Sequence, residues 1–91
     1  MKLIWNEWNI EHIKKHDVSV DEVEEVFKSK KITKQSYLDR NIILGKTKKE
    51  RLLTVVISTE KQKNPYVVSA RNMSKKERRH YYEQTKTSQT V

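Results

Sequence analysis

Arg71 closes the apolar run Pro65-Tyr66-Val67-Val68-Ser69-Ala70, and just beyond it Ser74 and Glu77 stand at the spacing that starts a helix. That helix opens with Lys75, Lys76, Arg78 and Arg79, so an arginine delivered by a strand lies beside a cationic helix N-terminus. Such a terminus offers unpaired N–H groups and the positive end of the helix dipole, both suited to an anion. A planar guanidinium grips phosphate through two N–H groups, where an ammonium presents a point charge. The chemistry on offer is the holding of a phosphate and the stabilisation of charge on it. A structural alternative stays open, in which Arg71 pairs with Glu77 or Asp39. Extended-strand alternation places Val67, Ser69 and Arg71 on one side and Tyr66, Val68 and Ala70 on the other.

Arg51 begins the most apolar stretch and shares its side with Leu53, Val55 and Ile57. It could stabilise charge on a phosphoryl group, or be a hairpin-end cation without a role. Arg40 stands comparably at the start of the partner strand. Glu77 suits a general base, yet its spacing to Ser74 is that of a capping box, and capping is the preferred reading. Ser69 and Ser74 have no adjacent histidine, so neither is expected to be a nucleophile. His12 and His16 are four apart and share a helix face, but Ile13 stands where the HExxH metal pattern requires an acid. Lys14, Lys15 and His16 read instead as a small cationic corner. His80 lies on the last helix, where a neutral imidazole can move protons near pH 7. Of its neighbours Tyr81 and Tyr82, one must pack and the other be exposed. Trp5 and Trp8 read as core or interface residues before stacking platforms.

With 91 residues, 34% of them hydrophobic and 35% charged, the chain suits one thin two-layer domain and not a deep sandwich. The absence of cysteine excludes a disulfide framework and thiolate metal sites, and no metal or other cofactor is expected. No apolar run approaches the roughly 20 residues of a membrane span, and residues 1–6 lack a signal-peptide core. The expectation is a soluble cytoplasmic protein. Residues 1–30 carry five Lys/Arg against seven Asp/Glu, and residues 31–91 carry fifteen against five, which together give the net +8. A positive field concentrated in the second two-thirds is what a polyanion-binding surface requires. A lysine-rich soluble domain with no such partner has the same composition.

The elements that must position these residues follow from periodicity. Residues 3–5 read as a short strand, with Asn6 able to cap a helix over 8–16 that ends around Asp17. Ser19 and Glu22 form a capping box flanked by Val18 and Val23, opening a helix over 20–28 with an acidic outer face. Residues 32–37 read as a polar edge strand. Residues 40–45 and 51–58 form a hairpin across 46–50, the second strand apolar enough to lie centrally, covered on at least one face. Residues 60–64 are a loop, 65–71 a last strand and 75–84 a final helix. Residues 1–84 make one domain and 85–91 a frayed polar tail. The order predicts an α+β fold: two N-terminal helices and a C-terminal helix packed on one face of a small, mainly antiparallel sheet.

Taken in order, several of these residues are similar to a known family. Trp5-Asn6 with Asn9, Lys15-His16 followed by Val18, and Val26-Phe27 at a helix end resemble the start of BrnT toxins. Arg40 with Gly45, Arg51-Leu52-Leu53 before a valine-rich strand, and the ending Ser69-Ala70-Arg71, Glu77-Arg78 and Tyr81 resemble the remainder. The likeness runs from about residue 3 to 83. Asp17 departs from it, because the family usually has glycine after Lys-His; aspartate tolerates left-handed backbone angles better than most residues. The resemblance implies a RelE-like fold and the toxin of a type II toxin-antitoxin system, a metal-independent ribonuclease that cuts RNA to inhibit translation. It also implies a BrnA-like DNA-binding antitoxin forming a hetero-oligomer with the toxin, and operator DNA bound by the joint complex. The corresponding mechanism is attack by a ribose 2′-OH on the adjacent phosphate. Arg71 and Arg51 stabilise the charge, and Lys15, His16, His80 or Tyr81 assists proton transfer. Lys14, Lys15, Arg40, Lys75, Arg78 and Arg79 are the expected nucleic-acid contacts. The alternatives are a non-catalytic nucleic-acid-binding or repressor module, and a protein-interaction domain with a basic docking helix.

Overall fold

The computed structural model describes residues 2–36, 39–59 and 64–87. The expected inclusion of Tyr37 in the edge strand, most of the 60–64 loop and the end of the polar tail lie outside the described residues.

Helix α1, Glu7–Lys14, begins where Asn6 and Asn9 exchange side-chain and backbone hydrogen bonds in a capping box. Asn9 is buried, and its amide donates to the carbonyls of Ile4 (2.9 Å) and Val67 (3.0 Å), tying the helix start to the sheet. The chain leaves α1 through a Schellman turn, with Asp17 N–H on the Lys14 carbonyl and Val18 N–H on that of Ile13. Asp17 takes φ 59°, the left-handed geometry the turn demands. Helix α2, Val20–Lys28, starts at the expected Ser19–Glu22 capping box, and Val18 and Val23 enter the same apolar cluster.

Four antiparallel strands follow in sequence order: β1 Ile32–Gln35, β2 Arg40–Lys46, β3 Leu52–Ser58 and β4 Tyr66–Asn72. The expected strand at 3–5 is a single parallel bridge from Ile4 to Tyr66. Helix α3, Lys75–Thr87, runs three residues past its expected end.

The helices do not share one sheet face. Ile43, Leu53, Val55, Ile57, Val67 and Ala70 pack with Ile13, Val23 and Val26 of α1 and α2. The alternate residues Leu44, Ile42 and Leu52, with Ile32 and Met73, pack with Tyr81 of α3. Adjacent apolar residues on β2 and β3 point to opposite sides, so each face needs its own cover. On the first face α2 lies directly on β2: a Cβ at Gly45 would stand 2.7 Å from Val26 Cγ1, an approach only glycine permits.

A bulge on β4 also corrects the expected alternation. Val56 pairs with Ser69 and Ile57 with Val67, leaving Val68 as the extra residue. One inserted residue reverses the parity, so Val67 and Ala70 are both buried against α1 and α2 while Ser69 and Arg71 point to the α3 side.

Candidate active site

Arg71 stands opposite Thr54 near the end of β4, on the α3 side of the sheet. The short link Met73-Ser74 then brings the first turn of α3 back over it, capped by Ser74: Glu77 N–H donates to Ser74 Oγ (3.2 Å) and Ser74 N–H to Glu77 Oε1 (2.8 Å). The same carboxylate receives the guanidinium as a fork, Nη1 to Oε1 at 2.8 Å and Nη2 to Oε2 at 2.9 Å, and also the Thr54 hydroxyl at 2.9 Å. Glu77 is therefore both helix cap and arginine holder. Its carboxyl is held down to about 2, first by the Arg71 hydrogen bonds. Burial opposes this, while the Ser74 N–H, the Thr54 hydroxyl and the guanidinium's charge add to it. The Arg71 guanidinium is raised in turn, mainly by its hydrogen bonds to Glu77.

Arg71 is nonetheless open. A guanidinium has five N–H groups; two go to Glu77 and a third to the Asn72 carbonyl at 3.1 Å. Nε–H and one Nη2–H have no partner among the described residues, and the side chain is 44% exposed. The arrangement is a rigidly aimed cation with two donors available to a ligand.

Arg51 is used differently. Its Nε donates to Asn72 Oδ1 (3.0 Å), and its Nη1 to the Asp17 carbonyl (2.6 Å) and both Glu22 carboxylate oxygens (3.0 Å each). Its Nη2 lies 3.5 Å from the His16 carbonyl. These partners belong to the exit of α1 and the start of α2, so the side chain clamps that turn to the β3 entrance. Burial pushes the Glu22 carboxyl up, but the Ser19 N–H and Arg51 outweigh it and the net shift is downward.

The expected site residues thus fall into groups. His16, Lys14 and Lys15 sit at the exposed end of α1 near Arg51, with the His16 ring edge-on to His12 at 5.6 Å. Arg71 stands on the other face, with Lys75, Arg78 and Arg79 exposed on the early turns of α3. His80 is half-buried in a groove of about 340 Å³ with Lys34, Ile42, Leu44, Lys76 and Glu77. Tyr81 is 5% exposed and packs with Leu44 and Met73, whereas Tyr82 is exposed; Tyr81 is the anchor of α3. Arg40 pairs with Ser58 at the far end of the sheet, four residues along β3 from the Arg71 partner Thr54, roughly 13 Å away. Trp5 is half-buried and donates to Glu24, while Trp8 is 83% exposed and so no part of the core. Thr54, Asn72 and Lys34 were not singled out by sequence reasoning, and Lys76 was noted only as one of the cations that open the last helix. The available signal was parity: Lys34 shares its side with Ile32, and Thr54 interrupts an apolar strand on the side opposite Leu53 and Val55.

The fold and site define a small α+β protein with an aimed, exposed arginine beside a basic helix. The chain belongs to the family described as the ribonuclease toxin, BrnT, of type II toxin-antitoxin systems, which matches over residues 5–77. That span contains both arginines and the Ser74–Glu77 cap. The curated proteins and solved structures compared with the chain gave no match. Membership implies a ribonuclease toxin with an RNA target and an antitoxin partner. Among the described residues, no helix is long and apolar enough to cross a membrane.

Proposed function

We propose that this chain is a cytoplasmic endoribonuclease toxin that cuts RNA without a metal ion and thereby inhibits translation, held in check by a DNA-binding antitoxin whose complex with it occupies operator DNA. The observation that carries the catalytic reading is Arg71: exposed, aimed by a two-point carboxylate fork, and left with two N–H groups that have no partner among the described residues. Preorganised donors of this kind stabilise the charge that develops on a phosphoryl group.

In this reaction the ribose 2′-OH attacks the adjacent phosphorus. Its proton passes to a base, the bond from phosphorus to the 5′ oxygen breaks, and a proton returns to that leaving oxygen. The products are a cyclic 2′,3′-phosphate and a 5′-hydroxyl. Arg71 neutralises the equatorial oxygens in the transition state. Glu77, ionised down to about pH 2, is too weak a base to take the ribose proton; its work is to orient the arginine. His80, in the groove that Glu77 borders, is the proton carrier this geometry favours. Lys75, Arg78 and Arg79 supply the field that draws RNA to this edge.

The test is incubation of the purified protein with RNA in excess chelator, beside Arg71→Ala. Cleavage to cyclic phosphate ends by the wild type, lost in the variant, supports the reading. RNA retained but left intact favours the non-catalytic binding module instead.

A further inference from the structure

We infer that the groove between the sheet and α3, rimmed by Lys34, Lys76 and His80, is a subsite for one nucleotide of single-stranded RNA next to the phosphate held by Arg71. The inference rests on the ribonuclease reading above and deepens it.

Three observations carry it. The first is shape and lining. The groove holds about 340 Å³, within the roughly 300–1,000 Å³ typical of small-ligand sites. Its floor is Ile42 and Leu44 of β2, and its rim is Lys34 from β1 with Lys76 and His80 from α3. Base faces stack on apolar and aromatic surfaces whatever their sequence, while ammonium groups meet the backbone phosphates. An apolar floor between cations is that combination.

The second is register. Lys34 pairs across the strands with Ile42, and Ile32 with Leu44. Edge-strand alternation therefore sets Lys34 on the α3 side, the side of Arg71, while Lys76 and His80 stand four apart and share a helix face. Two separate elements thus aim cations at one concavity. Neither Lys34 nor Lys76 has an ion pair among the described residues. The groove's anion, Glu77, is already matched by Arg71.

The third is continuity. Glu77 forms one end of the groove and grips Arg71 with both oxygens. A nucleotide seated on Ile42 and Leu44 is therefore separated from Arg71 by the Glu77 carboxylate alone. Arg40, exposed at the start of β2 and of the same parity as Ile42, extends the positive track past Lys34.

Binding is measured with a short fluorescent RNA carrying a 2′-deoxy nucleotide at the cleavage position, so that it cannot be cut, and with a copy lacking the base next to that position. The salt dependence is recorded for the wild type, Lys34→Ala/Lys76→Ala and Ile42→Ala, and thermal melts establish that each variant folds. The double lysine variant is expected to bind about tenfold more weakly, with the slope of log K against log salt reduced by about 1.4 for two lost phosphate contacts. The missing base is expected to weaken wild-type binding about tenfold and to matter much less to Ile42→Ala. If both folded variants bind both RNAs as the wild type does, while the wild type still cleaves ordinary RNA, the subsite is overturned and the ribonuclease reading stands. A reduced salt slope with no sensitivity to the missing base overturns the nucleotide seat, leaving only a phosphate track. If the wild type neither binds nor cuts RNA, both the subsite and the reading beneath it fall.

Discussion

Arg51 and Arg71 meet at Asn72 from opposite faces of the sheet, Arg51 donating to its side chain and Arg71 to its backbone carbonyl. The two arginines are neighbours along the same sheet end, yet their guanidiniums serve different layers. One fastens α1 and α2 to β3. The other is pinned to α3 and faces outward. Because the two side chains hold different partners, their substitutions should separate cleanly.

Arg71→Ala should reduce RNA cleavage by about 10²–10³-fold, the usual loss when one preorganised donor to a developing oxyanion is removed. Folding should survive, because Glu77 keeps the Ser74 N–H and the Thr54 hydroxyl and the α3 cap persists. Arg71→Lys should not rescue cleavage, since a lysine cannot be forked by Glu77 while offering two further donors. Single-turnover cleavage beside a thermal melt checks this; wild-type rates from either variant remove Arg71 from the mechanism.

Arg51→Ala should instead lower stability, by about 1–3 kcal/mol, because it unties two backbone carbonyls and the Glu22 carboxylate at once. Cleavage per folded molecule should change less than about threefold, far below the loss expected from an oxyanion donor. Urea unfolding combined with active-fraction titration separates these effects. A fully stable Arg51→Ala protein that has lost cleavage would assign Arg51 to the chemistry.

The Arg71–Glu77 fork predicts an acid limb in the stability curve. Glu77 is held at about 2 against an ordinary value of 4.5. A carboxyl depressed on folding contributes stability that is complete above its unfolded pKa and is lost as pH falls through the folded one. The loss should therefore run from about pH 4.5 down to about 2. With Arg71 44% exposed, solvent screening brings the contribution to roughly 1–2 kcal/mol. Glu77→Gln should start less stable at neutral pH and flatten the curve across that window. An unchanged acid limb in Glu77→Gln would show that other carboxylates set it.

Local signals located most of this architecture. The capping boxes at Ser19 and Ser74 were explicit in the chain because they depend on residues three apart, and the structure has both. Arg71 at a strand end beside a helix start followed from the same local logic. Long-range consequences were harder to read. The bulge at Val68 moves Val67 to the side of Ala70 and away from that of Ser69 and Arg71, and it depends on β3 pairing, which no window on β4 contains. The division of helices between two faces was latent in Ile42-Ile43-Leu44 and Leu52-Leu53, whose successive side chains need cover on both sides. The hold of Arg51 on the α1–α2 turn had no local signal, because its partners Asp17 and Glu22 lie 34 and 29 residues away.

The exit of α1 supplies a last prediction about backbone alone. Asp17 holds φ 59° in a Schellman turn, the position glycine fills most easily. A non-glycine residue there costs about 1 kcal/mol against glycine, less for aspartate than for a branched side chain. Asp17 contributes only its carbonyl to the Arg51 clamp, so Asp17→Gly keeps that contact while relieving the steric conflict. Glycine also enlarges the unfolded ensemble, which takes back part of the gain. The net expectation is a stabilisation of about 0.3–1 kcal/mol, with cleavage unchanged. Asp17→Val should destabilise by more than Asp17→Gly stabilises, because a branched Cβ is poorly tolerated at positive φ. Chemical denaturation of the three proteins at neutral pH gives the order; a glycine variant less stable than the wild type would mean that the aspartate carboxylate governs this turn, and one less stable than the valine variant would remove the backbone angle as the cause.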